Sequence, residues 1–245
     1  MTAKGPSDGR SGPPERGKAD LSRRSSGESP EAKADLRTIV AHDLRPVRPF
    51  WAPSKRALAL LPLAVAIVVG LPALNFFRTD LASLGFFKSW GLSVVESLAG
   101  LAIIALGLRE AVPGRAMKNG ALVMASVVGL AMPLVAYRLS TTDFSVGPST
   151  WTQWRFGMAC FRTSLIWAVP ILVAAAFLTK RAFPTRRVVT GILWGLGCGL
   201  IADAGLRLYC EFTTLAHIVL EHFSAVVASM VLGAVITAIR GSRGR

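Results

Sequence analysis

Long apolar runs alternate with short polar connections from residue 57 to residue 239. Six membrane-spanning helices are predicted, over 57–77, 89–108, 119–137, 163–179, 188–209 and 212–239. The hydrocarbon core of a bilayer takes about 20 residues of helix, and these runs meet or approach that length. The fourth run is the shortest, and it suffices if Arg162 extends its head group toward the interface. The third is free of charge, whereas Glu96 interrupts the second and Asp203 and Arg207 lie near the end of the fifth. The expected fold class is all-α, a polytopic six-helix membrane bundle over 57–239.

Ahead of the first run the pattern changes twice. Residues 1–29 are Gly, Pro, Ser and charged residues with no apolar period. Such a segment cannot bury enough surface to offset its ordering entropy, so a disordered cytoplasmic tail is expected. Residues 30–56 read differently. Ser29 suits an N-cap and Pro30 a first helical position. Leu36, Ile39, Val40 and Leu44 then fall on one helical face. Pro46 ends the helix and biases Arg45 toward extended geometry. An amphipathic helix of about four turns is marginal alone in water. Its apolar stripe needs either the bilayer or bundle surface, or a groove on a partner protein.

Composition agrees with the spans. The chain of 245 residues is 52% hydrophobic, with a mean hydropathy of +0.48 and only 17% charged residues, against about 25% for a soluble domain. The net charge of +14 would point to nucleic acid in a soluble protein. Here the cations flank apolar runs and no reading motif accompanies them, so no direct nucleic-acid role is expected. Their distribution instead sets orientation. With the N-terminus inside, the inner segments hold 22 of the 28 Lys and Arg residues. The short inner segments 109–118, 180–187 and 240–245 are dense in cations. Both termini are therefore expected in the cytoplasm, with 240–245 as a basic tail, in a multi-pass protein of an inner membrane. The first 56 residues hold no apolar core of a signal peptide, so no cleavable one is expected.

Candidate chemistry is sparse. Three cysteines show neither a Cys-x-x-Cys nor a Cys/His metal spacing, so no metal site and no cofactor are expected. Cys160 falls just before the fourth span and Cys210 just after the fifth, which places both at the outer face. An oxidising periplasm would let a disulfide persist there. Consecutive helices usually pack together, although a bridge needs alpha carbons within about 7 Å. The alternative is a pair of small interfacial residues with no role. Arg162 and Arg207, near in sequence, are candidates to acidify the thiols. Cys198, among Gly195, Gly197 and Gly199, reads as structural. Asp203 and Arg207 are four apart and can pair on one helical face. Glu96 and Glu221 lie deeper, with His217 and His222 near the outer half of the last span. Intramembrane ionisable groups are functional candidates by default. They fit either a small transporter or channel using Glu96, Asp203, Arg207 and Glu221, or a polar cluster that fixes helix registry. No catalytic constellation shares one face, so no enzyme is expected. Trp151, Trp154 and Trp167 read as interface anchors.

Several local motifs occur in a particular order. Ala41-His42-Asp43-Leu44-Arg45-Pro46-Val47-Arg48-Pro49 precedes the first span, and Val112-Pro113-Gly114-Arg115 follows the second. Cys160 opens the fourth, Pro184 lies in the basic hairpin, and the fifth runs through Gly191, Gly195, Gly199 and Ala204 to Tyr209-Cys210-Glu211. This order resembles the NrsF-type family of bacterial six-span inner-membrane proteins, over roughly residues 36–239. The resemblance implies an anti-sigma factor that sequesters an extracytoplasmic-function (ECF) sigma factor and releases it on an envelope, oxidative or metal stress. It implies a redox-sensing role for Cys160 and Cys210. Sigma-factor docking is then expected at Leu36, Ile39, Val40, Asp43, Leu44, Arg45 and Arg48.

Overall fold

The computed structural model describes residue 35, residues 38–39, 51–140, 151–179 and 186–242. Side chains are described for these except at 151–157 and 241–242. The chain divides into two units, residues 1–50 and residues 51–245. In the first, Asp35, Thr38 and Ile39 are helical and exposed. Leu36, Val40, Asp43, Leu44, Arg45 and Arg48 lie outside the described residues.

In the second unit, six helices are long and apolar enough to cross a membrane, and no strand occurs among the described residues. The six-helix, all-α expectation is met. The helices are α1 (Pro53–Leu74), α2 (Leu81–Glu110), α3 (Asn119–Ser140), α4 (Trp151–Leu178, with its span at Met158–Leu178), α5 (Arg187–Leu206) and α6 (Leu215–Arg240). Pro53 opens α1 at a position where a missing N–H costs nothing. Pro72, Pro133 and Pro170 lie inside α1, α3 and α4. In a bundle, neighbouring helices and local adjustments satisfy the backbone groups such prolines free.

Five of the helices show lipid-type outer faces. Val65, Val94, Leu98, Val127, Val128, Val173, Phe177 and Val231 are all exposed and apolar. A surface of that kind is an aggregation liability in water and the ordinary state of a bilayer-facing helix. The fifth helix is different. Of its 20 residues 16 are buried, and it packs on each of the other five, most extensively on α6 and α2. It is the axis of the bundle.

Its glycines explain how it can be. In lipid there is little hydrophobic drive between helices, so close backbone approach and van der Waals contact carry the association. A methyl group on Gly100 of α2 would lie 2.6 Å from the Gly197 carbonyl oxygen of α5. One on Gly191 would overlap the Gly233 carbonyl of α6. Two helices therefore meet α5 backbone to backbone, on opposite sides. Between these contacts, Leu193, Trp194, Leu196, Cys198, Leu200 and Ile201 are fully buried. Cys198 packs in this core with Leu101, Ile104 and Ile171, as its structural reading expects.

A candidate thiol–histidine site at one end of the bundle

The connections α1–α2 and α5–α6 clasp one another at one end. The Arg78 N–H donates to the Leu208 carbonyl at 3.1 Å. The Thr79 N–H donates to the Glu211 carboxylate at 2.8 Å. Arg78 is buried, and its guanidinium holds Asp80 through a second bond of 2.6 Å. That bond keeps the Asp80 carboxyl below its ordinary range. Burial pulls the Arg78 guanidinium down, and the Asp80 contacts outweigh it and leave it raised.

Both cysteines predicted as sensors meet beneath this clasp. Cys160 lies in the tenth position of α4, inside the helix rather than ahead of it, and Cys210 lies in the connection just after α5. Their Sγ atoms are 3.7 Å apart, both residues are buried, and both are free thiols. Contact with the Cys160 sulfur, and then burial, push the Cys210 thiol well up. The cation that opposes this on Cys210 is Arg78, not Arg162 or Arg207. A cavity of about 220 Å³ reaches the thiols, lined also by Phe76, Ala159, Tyr209, Glu211 and Phe212.

Two histidines complete the cluster. The Cys210 Sγ is 3.2 Å from the His217 Nε2. The His217 and His222 rings are 5.3 Å apart, edge to face. One ligand atom each from Cys160, Cys210, His217 and His222 lies within 4.8 Å of all the others, and all four residues are buried. This proximity has a local cause. In an α-helix, residues five apart point roughly 140° away from each other. Here Ile218–Phe223 is a π-helical turn, whose bonds run from residue i to i+5. The wider turn brings His217 and His222 to one side. Thr214 starts the helix, its Oγ1 accepting from the His217 N–H at 3.4 Å.

Further into the bundle the polar residues form a connected chain. His222 Nδ1 is 2.7 Å from Asp203 Oδ1 and 2.7 Å from the Tyr137 hydroxyl. Arg207 Nη2 pairs with Glu96 at 3.0 Å and donates to Ser93 Oγ at 3.1 Å. The Ser93 hydroxyl in turn donates to the Ala204 carbonyl. Asp203, Glu96 and His222 are completely buried, and Arg207 nearly so. The helical spacing of four favours an Asp203–Arg207 pair, whereas the contacts formed are an Arg207–Glu96 ion pair and a His222–Asp203 hydrogen bond. Close approach at Gly100 and Gly197 brings Glu96 within reach of Arg207, and the π turn delivers His222 to Asp203. Glu221 is also buried, on the neighbouring turn position. Trp167 packs against Gly70 of α1, and the side chains of Trp151 and Trp154 lie outside the description.

The sequence put both cysteines at one face, left their approach open, and did not connect them to His217. No motif spacing marks a π turn. The usable signal was the run of His217, Glu221 and His222 at the start of an otherwise apolar helix.

Residues 40–240 match the family described as NrsF, negative regulator of sigma F. The chain belongs to the NrsF family. The matched range takes in all six spans and both cysteines of the site. It begins within the predicted docking segment, so Val40, Asp43, Leu44, Arg45 and Arg48 fall inside it and Leu36 and Ile39 precede it. As an NrsF protein the chain is a negative regulator of a sigma factor, and a sigma factor is its partner. No curated protein and no solved structure matches the chain.

Proposed function

We propose that this NrsF protein holds an ECF sigma factor inactive at a bacterial inner membrane and releases it when the Cys160–Cys210 pair is oxidised. The observation that carries the reading is the pair itself: two free thiols 3.7 Å apart, reached by a cavity. Oxidation joins the two sulfurs, and the two thiols give up two protons and two electrons. A two-electron acceptor such as diamide takes both and leaves as the hydrazine. Both termini are cytoplasmic by the cation distribution, which puts the thiol end outside. The amphipathic segment 30–56 is the docking element, and Ile39, helical and 57% exposed, supports it. From the thiols, polar contacts run into the bundle through His217, His222 and Asp203. Buried Arg207 pairs with Glu96 across helices, and Asp203 is hydrogen-bonded to His222 across another pair, which fits a registry role better than a transport path.

Co-purification tests the proposal. The detergent-solubilised protein is recovered from its own cell with and without diamide, beside a Cys160→Ser/Cys210→Ser variant. The expected result is a sigma factor bound to both, and released by diamide from the wild type only. A sigma factor that stays on the wild type under diamide would discard the thiol switch and keep the anti-sigma role. Docking is tested by Ile39→Asp with Leu44→Asp, which should abolish repression without changing membrane insertion.

A further inference from the structure

We infer that Cys160, Cys210, His217 and His222 form a tetrahedral site for one divalent cation of borderline-to-soft character, of the zinc type. The inference shares its thiols with the switch proposed above but does not depend on a sigma factor. It adds the two histidines and an orienting carboxylate.

Zinc bonds of about 2.3 Å to sulfur and 2.0–2.1 Å to nitrogen put tetrahedral ligand atoms roughly 3.3–3.8 Å apart. The Cys160–Cys210 and Cys210–His217 separations, 3.7 and 3.2 Å, already have that scale. The remaining pairs lie within 4.8 Å, so a contraction of about one ångström closes the shell. Two thiolates and two imidazoles are a donor set that favours zinc, cadmium or cobalt over magnesium or calcium, which take oxygen.

Three further features fit. His222 is oriented by a carboxylate. Asp203 Oδ1 on Nδ1 holds the proton there and leaves the lone pair on Nε2 for the ion. The Tyr137 hydroxyl also lies nearer to Nδ1, at 2.7 Å, than to Nε2, at 3.2 Å. The π turn, rare in helices and frequent at functional positions, is what aligns the two histidines. The cavity lined by Phe76 and Tyr209 gives the ion access to sulfurs that are otherwise buried. The ligands come from α4, the α5–α6 connection and α6, so an ion would tie three elements at one end.

The test uses the full-length protein in detergent, reduced, stripped with a chelator and titrated with Co²⁺. The expected result is one equivalent bound, with thiolate-to-cobalt charge-transfer bands and the intense ligand-field bands of tetrahedral cobalt, displaced by Zn²⁺. Cys160→Ser and Cys210→Ser should each remove part of the charge-transfer intensity. His217→Gln and His222→Gln should shift the ligand-field bands. Asp203→Asn should weaken binding by about 10- to 100-fold while leaving the band positions in place. Each variant is checked by gel filtration and circular dichroism. Wild-type protein that passes those checks and shows no saturable cobalt binding overturns the site. Cobalt spectra unchanged by both histidine variants would overturn the four-ligand assignment. A protein that binds cobalt but retains no sigma factor keeps this inference and loses the function proposed above, and the reverse outcome separates them the other way.

Discussion

Each end of the bundle carries one pair of Arg and Glu, and the two pairs are built differently. At the thiol end Arg207 and Glu96 are 3.0 Å apart, with side chains 2% and 0% exposed. At the other end Arg186 and Glu110 are 3.8 Å apart, with side chains 42% and 0% exposed. The second pair also has substitutes. Glu110 accepts from the Met117 N–H at 2.8 Å, and Arg186 donates to the Asn119 side chain at 2.8 Å. The first pair is enclosed by helices on every side. Both carboxylates are buried, so the two pairs differ in the cation, enclosed at Arg207 and open to solvent at Arg186. Burial of the cation, and not the presence of an ion pair, sets how much each pair contributes.

Removing one partner separates the ends most sharply. Glu96→Ala leaves Arg207 a buried cation without its ion-pair partner, a loss of about 3–5 kcal/mol for such a pair. Thermal unfolding in detergent should show it, and a variant as stable as wild type would mean the pair is not enclosed. Next comes the contact that brings this pair together. Gly100→Ala forces α2 away from the Gly197 carbonyl, at about 1–3 kcal/mol for overpacking, and should also disturb Arg207. Arg186→Ala should cost below about 1 kcal/mol, and a larger loss would erase the contrast between the ends. The smallest effect concerns pH. Asp80 is held below its ordinary value of 3.8 by Arg78. A lowered carboxyl contributes stability above its unfolded value, and this is lost as pH falls through the folded one. Unfolding temperatures of wild type and Asp80→Asn should thus differ at neutral pH and converge in acid below that value.

The comparison also shows what the sequence could carry. Six apolar runs, their order and the glycine-rich fifth span are visible because length and small-residue spacing are local properties. The thiol pair was legible because consecutive helices bring their ends together. The partner of Arg207 was not, since the spacing of four pointed along the helix to Asp203, while Glu96 arrives from a helix a hundred residues earlier. His217 and His222 were seen as neighbours of the interface but not of each other. Periodic reasoning assumes 3.6 residues per turn, and the turn that joins them departs from it.

The thiols are separated by 50 residues of chain. A bond between them would close that stretch into a covalent ring: up α4, around the connection beyond Leu178, and back along α5 from Arg187. Chain-entropy scaling gives such a ring about 4 kcal/mol against opening. The ring also runs the full length of the bundle. A chemical event confined to one end would thereby tether a loop at the other, with no need for a signal to pass through the packed interior.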